Sequence, residues 1–212
     1  ISGILKDDGE DLEFFVNNEV GGKDSFYANG LYYLDDGRMD ISADFNRMEL
    51  KPIAAFLKDY FESMDGSLSG KLRLQGPIGG MNIESQDLRL ENVGALLSVT
   101  GVQYYVDGPV RLANDGIHFE RLSIRDDSYG RGSFNGVLKH SNLSNFSLGS
   151  RIEVDNMKFV DAQEESGRSF YGLLRGGGFA DIRGPLDALE IEGSIHTQGD
   201  GNVHIPMGGA TA

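Results

Sequence analysis

Apolar and polar residues alternate with period two along much of this chain, and glycine-containing turns interrupt the alternation about every 8 to 14 residues. Met39, Ile41, Ala43 and Phe45 share one phase, followed by Leu72 and Leu74, Leu88 and Leu90, Leu97 and Val99, and Val110 and Leu112. Between the runs stand Asp35-Asp36-Gly37, Gly76-Pro77 and Asn114-Asp115-Gly116, which are turn chemistry. No crossover-helix pattern separates the runs, so sequential strands are expected to pair antiparallel. Glycine supplies 30 of 212 residues, about twice the usual share of roughly 7%. The glycines are neither clustered as in a linker nor spaced as in collagen, which places them at turns and bulges of a long meander.

One segment departs from period two. Pro52 suits a first helical position, and Ile53, Phe56, Leu57, Tyr60 and Phe61 fall on one helical face, so a short amphipathic helix is predicted over about 52–63. Its polar side carries almost no positive charge, which favours a cap on the sheet over a membrane-surface helix. Asp161 to Ser169 is polar and aperiodic and reads as an exposed loop. Glu10, Asp11 and Glu13 beside Phe14, Phe15 and Val16 suggest an edge strand guarded by charge.

Composition excludes several function classes. With 33 acidic and 19 basic residues the net charge is −14, which would repel a phosphate backbone, so nucleic acid is not an expected partner. The same acidity argues against docking on anionic headgroups, and any lipid contact must be apolar. Cysteine is absent, which removes disulfides, thiolate metal sites and a Cys nucleophile. The longest apolar run falls far short of the roughly 20 residues of a spanning helix. The chain opens at Ile1 without a signal peptide and reads as an interior piece of a larger protein.

The segment Gly70-Lys-Leu-Arg-Leu-Gln-Gly-Pro-Ile-Gly-Gly-Met-Asn-Ile83 aligns without gaps on Gly178-Phe-Ala-Asp-Ile-Arg-Gly-Pro-Leu-Asp-Ala-Leu-Glu-Ile191. Leu74, Ile78 and Met81 meet Ile182, Leu186 and Leu189. The pattern is strand, Gly-Pro turn, strand, because Pro77 and Pro185 cannot donate to a ladder. Repeat units over about 66–160 and 170–206 are expected within a single elongated segment spanning 1–212.

Phe170-Tyr171-Gly172, Gly184-Pro185-Leu186, Leu189-Glu-Ile191, Gly193-Ser-Ile-His-Thr197 and Ile205-Pro206 resemble the carboxy-proximal region of the TamB family of translocation and assembly proteins, in the AsmA-like superfamily. Upstream, Gly66-Ser-Leu-Ser-Gly70, Gly94 through Tyr104, and Asp126-Asp127 with Gly130 and Gly136 are similar to the same family. The resemblance covers most of residues 30–206 through short, degenerate motifs. It implies an all-β fold with one short helix, a long curled antiparallel sheet forming an open, U-shaped, β-taco-like groove. It also implies a periplasmic protein of Gram-negative bacteria, anchored in the inner membrane and linked to phospholipid movement between inner and outer membranes. Some members act with an outer-membrane barrel partner in protein assembly. The family offers no catalytic motif.

On this basis phospholipid acyl chains are the expected ligand, with no cofactor. The groove-lining set is predicted as Leu72, Leu74, Ile83, Leu88, Leu90, Leu97, Val99, Tyr104, Val106, Val110, Leu112, Ile117, Phe119, Ile124, Ile182, Leu189 and Ile191. An open trough and a closed core share this alternating pattern, and both stand at this point. On the order of 14 strands at about 4.8 Å spacing would extend a groove to roughly 65 Å. A platform that binds unfolded β-strands for outer-membrane assembly is the alternative function.

Chemistry-bearing motifs are missing. His118, His140, His196 and His204 have no ligand spacing, and the pairs Asp7-Asp8, Asp35-Asp36 and Asp126-Asp127 lack a calcium-loop pattern. Gly176-Gly177-Gly178 lacks the Lys and Ser or Thr of a phosphate loop, and Gly66-Ser67-Leu68-Ser69-Gly70 carries Leu68 where a nucleophile elbow needs its hydroxyl. Neither an enzyme nor a metal protein is expected.

Overall fold

The computed structural model describes residues 2–7, 11–20, 23–51, 61–77, 79–141, 144–164 and 169–205. They form fourteen strands: β1 Ser2–Asp7, β2 Asp11–Val20, β3 Lys23–Tyr33, β4 Arg38–Glu49, β5 Phe61–Met64, β6 Ser67–Pro77, β7 Asn82–Leu97, β8 Gln103–Ala113, β9 Gly116–Asp126, β10 Arg131–Ser141, β11 Ser144–Ala162, β12 Tyr171–Pro185, β13 Glu190–Thr197 and β14 Asn202–His204. All belong to one antiparallel sheet in sequence order from β1 to β13, with β5 paired to β7 and β14 paired to β12. The alternating sequence forms the all-β architecture that period two predicts, and the sheet is not closed into a barrel, as the open curled sheet implied by the resemblance requires.

The helix expected over 52–63 falls partly on 52–60, which lie outside the described residues. Residues 61–63 belong to strand β5, where Phe61 pairs with Leu97, so that end of the expected helix is corrected to strand. The expected edge at residues 10–16 is also corrected. Residues 11–16 lie in β2, which is flanked by β1 and β3, and β1 holds the edge.

Register places apolar residues on one face across the whole sheet. Phe14, Gly30, Ile41, Leu74 and Ile83 are successive partners from β2 to β7. Val93, Val106, Ile124, Gly132, Val154, Gly178 and Ile195 continue such a row from β7 to β13. The opposite face carries rows such as Ser42, Arg73 and Glu84, with ion pairs Lys71–Asp44 at 2.9 Å and Arg73–Asp40 at 3.0 Å.

Bulges bend the strands. Arg47, Asp87, Asn92, Arg121 and Asn156 adopt positive φ between 47° and 54° inside β4, β7, β9 and β11, at or beside register shifts. Each left-handed L-residue costs on the order of 1–2 kcal/mol. Side-chain acceptors offset that cost: the Arg47 N–H donates to Ser69 Oγ (3.2 Å), Asn92 to Asp107 Oδ1 (2.6 Å), Arg121 to Asn135 Oδ1 (2.8 Å) and Asn156 to Gln198 Oε1 (2.7 Å). Glycines make room for the displaced backbone. A Cβ on Gly70, whose φ is 120°, would lie 2.5 Å from Asp87 O. The extra residue in each bulge turns the strand and increases the local twist, which creases the sheet.

The two similar segments fold alike. Gly76 and Gly184 both take φ 118°, and each following turn closes with a backbone bond, from Gly80 N to Pro77 O and from Ala188 N to Pro185 O, both 2.9 Å. Proline keeps its carbonyl as an acceptor while lacking the N–H that a longer ladder would need.

Candidate functional site, an apolar chamber on the concave face

The sheet curls strongly between β7 and β12. Strands β8 and β11 have β9 and β10 between them, so a flat sheet would hold their backbones about 14 Å apart. Instead the Tyr104 hydroxyl of β8 donates to Lys158 O of β11 at 2.6 Å. The β7–β8 turn comes closer still, with Asp161 N donating to Thr100 O at 2.9 Å. Val102 and Met157 pack at this junction and are each 1% exposed.

Asp126, at the end of β9, secures the same junction. Its side chain is fully buried and accepts from the backbone N–H groups of Ser128 (2.8 Å), Gly130 (2.9 Å) and Lys158 (2.9 Å) and from the Arg175 guanidinium (3.3 Å). Burial alone would push this carboxyl up, but those donors and the Arg175 charge outweigh it and hold the carboxyl below its ordinary range. Burial, reinforced by the negative charge of Asp126, pushes the Tyr104 hydroxyl up to about 12, so it remains a donor through the neutral range. The Lys158 ammonium pairs with Asp127 at 2.8 Å and with Asp161, completing a clasp among the β7–β8 turn, the β9–β10 turn, β11 and β12.

Beneath the clasp lies a chamber of about 480 Å³. Its lining is Met64, Leu90, Val93, Ala95, Leu97, Tyr104, Val106, Ile124, Ile152, Val154, Met157, Phe159, Phe179, Ala180 and Ile195. Among the described residues no Lys, Arg, Asp or Glu lines it, and the one phenol among them turns its hydroxyl into the clasp. Along the strands, away from the clasp, the same face is packed solid. Leu88, Val110 and Leu122 are buried there, surrounded by Phe45, Leu68, Leu90, Val106, Leu112, Ile117, Phe119 and Phe134. Phe119 and Phe134 meet edge to face at 5.4 Å. Leu90 and Val106 belong to both regions.

The predicted lining residues thus divide. Leu90, Leu97, Tyr104, Val106 and Ile124 line the chamber. Leu88, Val110, Leu112, Ile117 and Phe119 belong to the packed cluster. Leu72, Leu74 and Ile83 lie on the same face over β6 and β7. Ile182 and Ile191 pair on that face at the β12–β13 edge, where Ile191 is 70% exposed. Val99 and Leu189 are placed differently, since both fall outside the strands and are exposed to solvent, Val99 by 64%. Period two projected through a turn misassigned them. Sequence reasoning missed the far wall, Ile152, Val154, Met157 and Ala180, although the β11 alternation of Ile152 and Val154 was available to it.

A second depression of about 500 Å³ lies over polar-face residues of β3, β4, β6 and β7, including Asn29, Asp44, Lys71, Arg73 and Glu84. Its lining mixes these polar residues with Tyr27, Ala43 and Leu72, and the Lys71–Asp44 ion pair lies within it. Among the described residues no group of three or more His, Asp or Glu is placed to hold a metal ion, and no helix is long and apolar enough to cross a membrane. His118 pairs with Asp115 at 2.9 Å, and His204 stacks on Tyr171. Comparisons with protein-family models, curated proteins and solved structures find no match for this chain.

Proposed function

We propose that this chain is a non-enzymatic segment of a hydrophobic groove that conducts phospholipid between the inner and outer membranes of a Gram-negative envelope. In this reading it belongs to a TamB-like periplasmic protein anchored in the inner membrane, and it holds acyl chains while headgroups stay in water. The observation that carries the proposal is the chamber, whose lining has no ionised side chain among the described residues, set in a concave face opposed to a charged outer face. Each methylene moved from water into such a lining gains up to about 0.8 kcal/mol, and none of the described lining residues would anchor a headgroup through charge. The resemblance of the Gly-Pro hairpins and the Gly193-to-Thr197 strand to the TamB family supports the same reading.

Photo-crosslinking residues placed at Leu90, Val106 and Ile124 in the intact parent protein test it, with Lys71 and Arg73 on the charged face as controls. Phospholipid adducts, identified by mass spectrometry, are expected at the first three positions alone. Equal labelling of both faces, or no lipid at any position, overturns the proposal.

The second reading, a platform for unfolded outer-membrane strands with a barrel protein as partner, is favoured by a different feature. Every residue of β13 is exposed, and Ile191 and Ile195 are 70% and 58% exposed along an edge that pairs with no further strand among the described residues. Such an edge can accept an added strand. Peptide adducts at Ile195, in place of lipid, would favour this function.

A further inference from the structure

Strand β13 ends the sheet with an edge of a particular shape. Its concave face presents Ile191, Gly193 and Ile195, because alternate residues of a strand share a face and the β12–β13 register runs without a shift from Gly176–Thr197 to Arg183–Glu190. Along the row that ends at Gly193 the side chains shrink strand by strand, from Phe134 through Ile152 and Ala180 to none. β13 cannot fill that gap itself, since a Cβ on Gly193 would run into the Phe179 carbonyl oxygen. The outer face is unbalanced at the same place. Arg151 already pairs with Glu153 and Asp181, and Glu192 stands directly opposite Asp181 with no ion pair of its own among the described residues. Like charges facing each other across a ladder are destabilising.

We infer that the β13 edge docks one antiparallel strand of a defined pattern: a large aliphatic or aromatic residue opposite Gly193, followed directly by a Lys or Arg opposite Glu192. This rests on the strand-accepting reading above and deepens it by naming the strand. The backbone groups of β13 that point away from β12 supply the ladder, and the side chains of the incoming strand supply the specificity. Its apolar residue reaches across Gly193 toward Ala180 and lies beside Ile195, both of which line the chamber, so the docked strand carries the apolar face of the groove one strand further. Its cation answers the facing carboxylates of Asp181 and Glu192. A second copy of this chain fits less well, because β13 contains neither Lys nor Arg to place opposite Glu192 and each copy carries a net charge of −14.

The test uses the full 212-residue chain and a fluorescently labelled peptide of about nine residues in which Val and Thr alternate, with Leu set to lie opposite Gly193 and Lys directly after it, read by anisotropy. Replacing that Leu by Gly should weaken binding by about 10-fold or more. Replacing the Lys by Glu should weaken it by about 5-fold at low ionic strength, a difference that shrinks at about 1 M salt. In the protein, Glu192→Lys changes an exposed side chain and should reverse the preference in favour of the Glu peptide. A benzophenone side chain in place of the Leu should crosslink to Ala180 or Ile195, and one in place of the Lys to neither. Binding that is indifferent to either replacement, or crosslinks that form alike from both positions, overturns this inference and leaves the strand-accepting reading standing. A dimer of the chain alone in sedimentation, dissociated by the peptide, assigns the edge to a second copy and overturns it as well. Failure of every peptide to bind overturns the strand-accepting reading and this inference together.

Discussion

The concave face is occupied differently at its two ends, although strands β7, β8 and β9 supply both. In the packed region large side chains meet from neighbouring strands, with Phe119 against Phe134 and Leu88, Val110 and Leu122 sealed beneath them. In the chamber the corresponding positions shrink: Gly132 stands between Ile124 and Val154, Gly178 between Val154 and Ile195, and Ala95 and Ala180 lie on the walls. Alternation therefore decides which side of the sheet is apolar, while side-chain size decides whether that side is filled. Small residues alone would let a sheet collapse on itself, and the clasp prevents this by fixing where β11 stands relative to β8.

The largest expected effect comes from the clasp. Asp126→Ala leaves three backbone donors without their acceptor and the half-buried Arg175 with only Asn156 O, and should cost about 3–5 kcal/mol in urea unfolding. A cost near zero would show that the two regions stand independently of the clasp. Next, Leu122→Ala in the packed cluster should cost about 2–5 kcal/mol, and Ile124→Ala in the chamber less than half as much, because Ile124 already faces empty space. Equal costs, measured side by side by denaturant titration, would erase the distinction between filled and unfilled regions.

Acid should weaken the clasp before the packed cluster. The Asp126 carboxyl is held low in the folded chain, so its stabilisation is fully present above the unfolded carboxylate range near pH 4 and is lost as pH falls through the lower folded value. Hydrogen exchange of the Lys158 and Gly130 amides should accelerate relative to Leu122 when corrected for intrinsic rates over that interval, and Asp126→Asn should flatten the difference. A smaller effect is expected for Asn135→Ala, which removes the acceptor for the Arg121 bulge and should cost about 1 kcal/mol. Smallest is Lys71→Gln on the charged face, where both partners of the Asp44 pair are largely exposed. It should change stability by less than about 1 kcal/mol and leave ligand binding untouched.

Much of the fold was legible because period two reports directly on a pleated strand. The runs at Met39–Phe45, Leu72–Leu74 and Val110–Leu112 all lie in strands, and each keeps to the apolar face through the paired register. Of the chamber, one wall was legible, through Leu90, Leu97, Tyr104, Val106 and Ile124. The opposite wall was not, since whether Leu90 and Ile152 face one chamber depends on how far the sheet rolls and alternation carries no curvature. Val99 and Leu189 show the same limit at shorter range, because a turn resets the phase that an alternating run assumes.

The sequence by itself determined the strand character, the order of antiparallel neighbours, the two Gly-Pro hairpins and the choice of apolar face, all of which follow from local periodicity and turn chemistry. The tertiary structure decided the curl, the clasp and the division into a packed cluster and an empty chamber. Those depend on bulges whose freed N–H groups are met by Asp107, Asn135 and Gln198, and on a carboxylate at 126 reaching strands 32 and 49 residues further on. Such long-range pairings form only when the sheet has already brought distant segments together, and no local pattern in the chain encodes them.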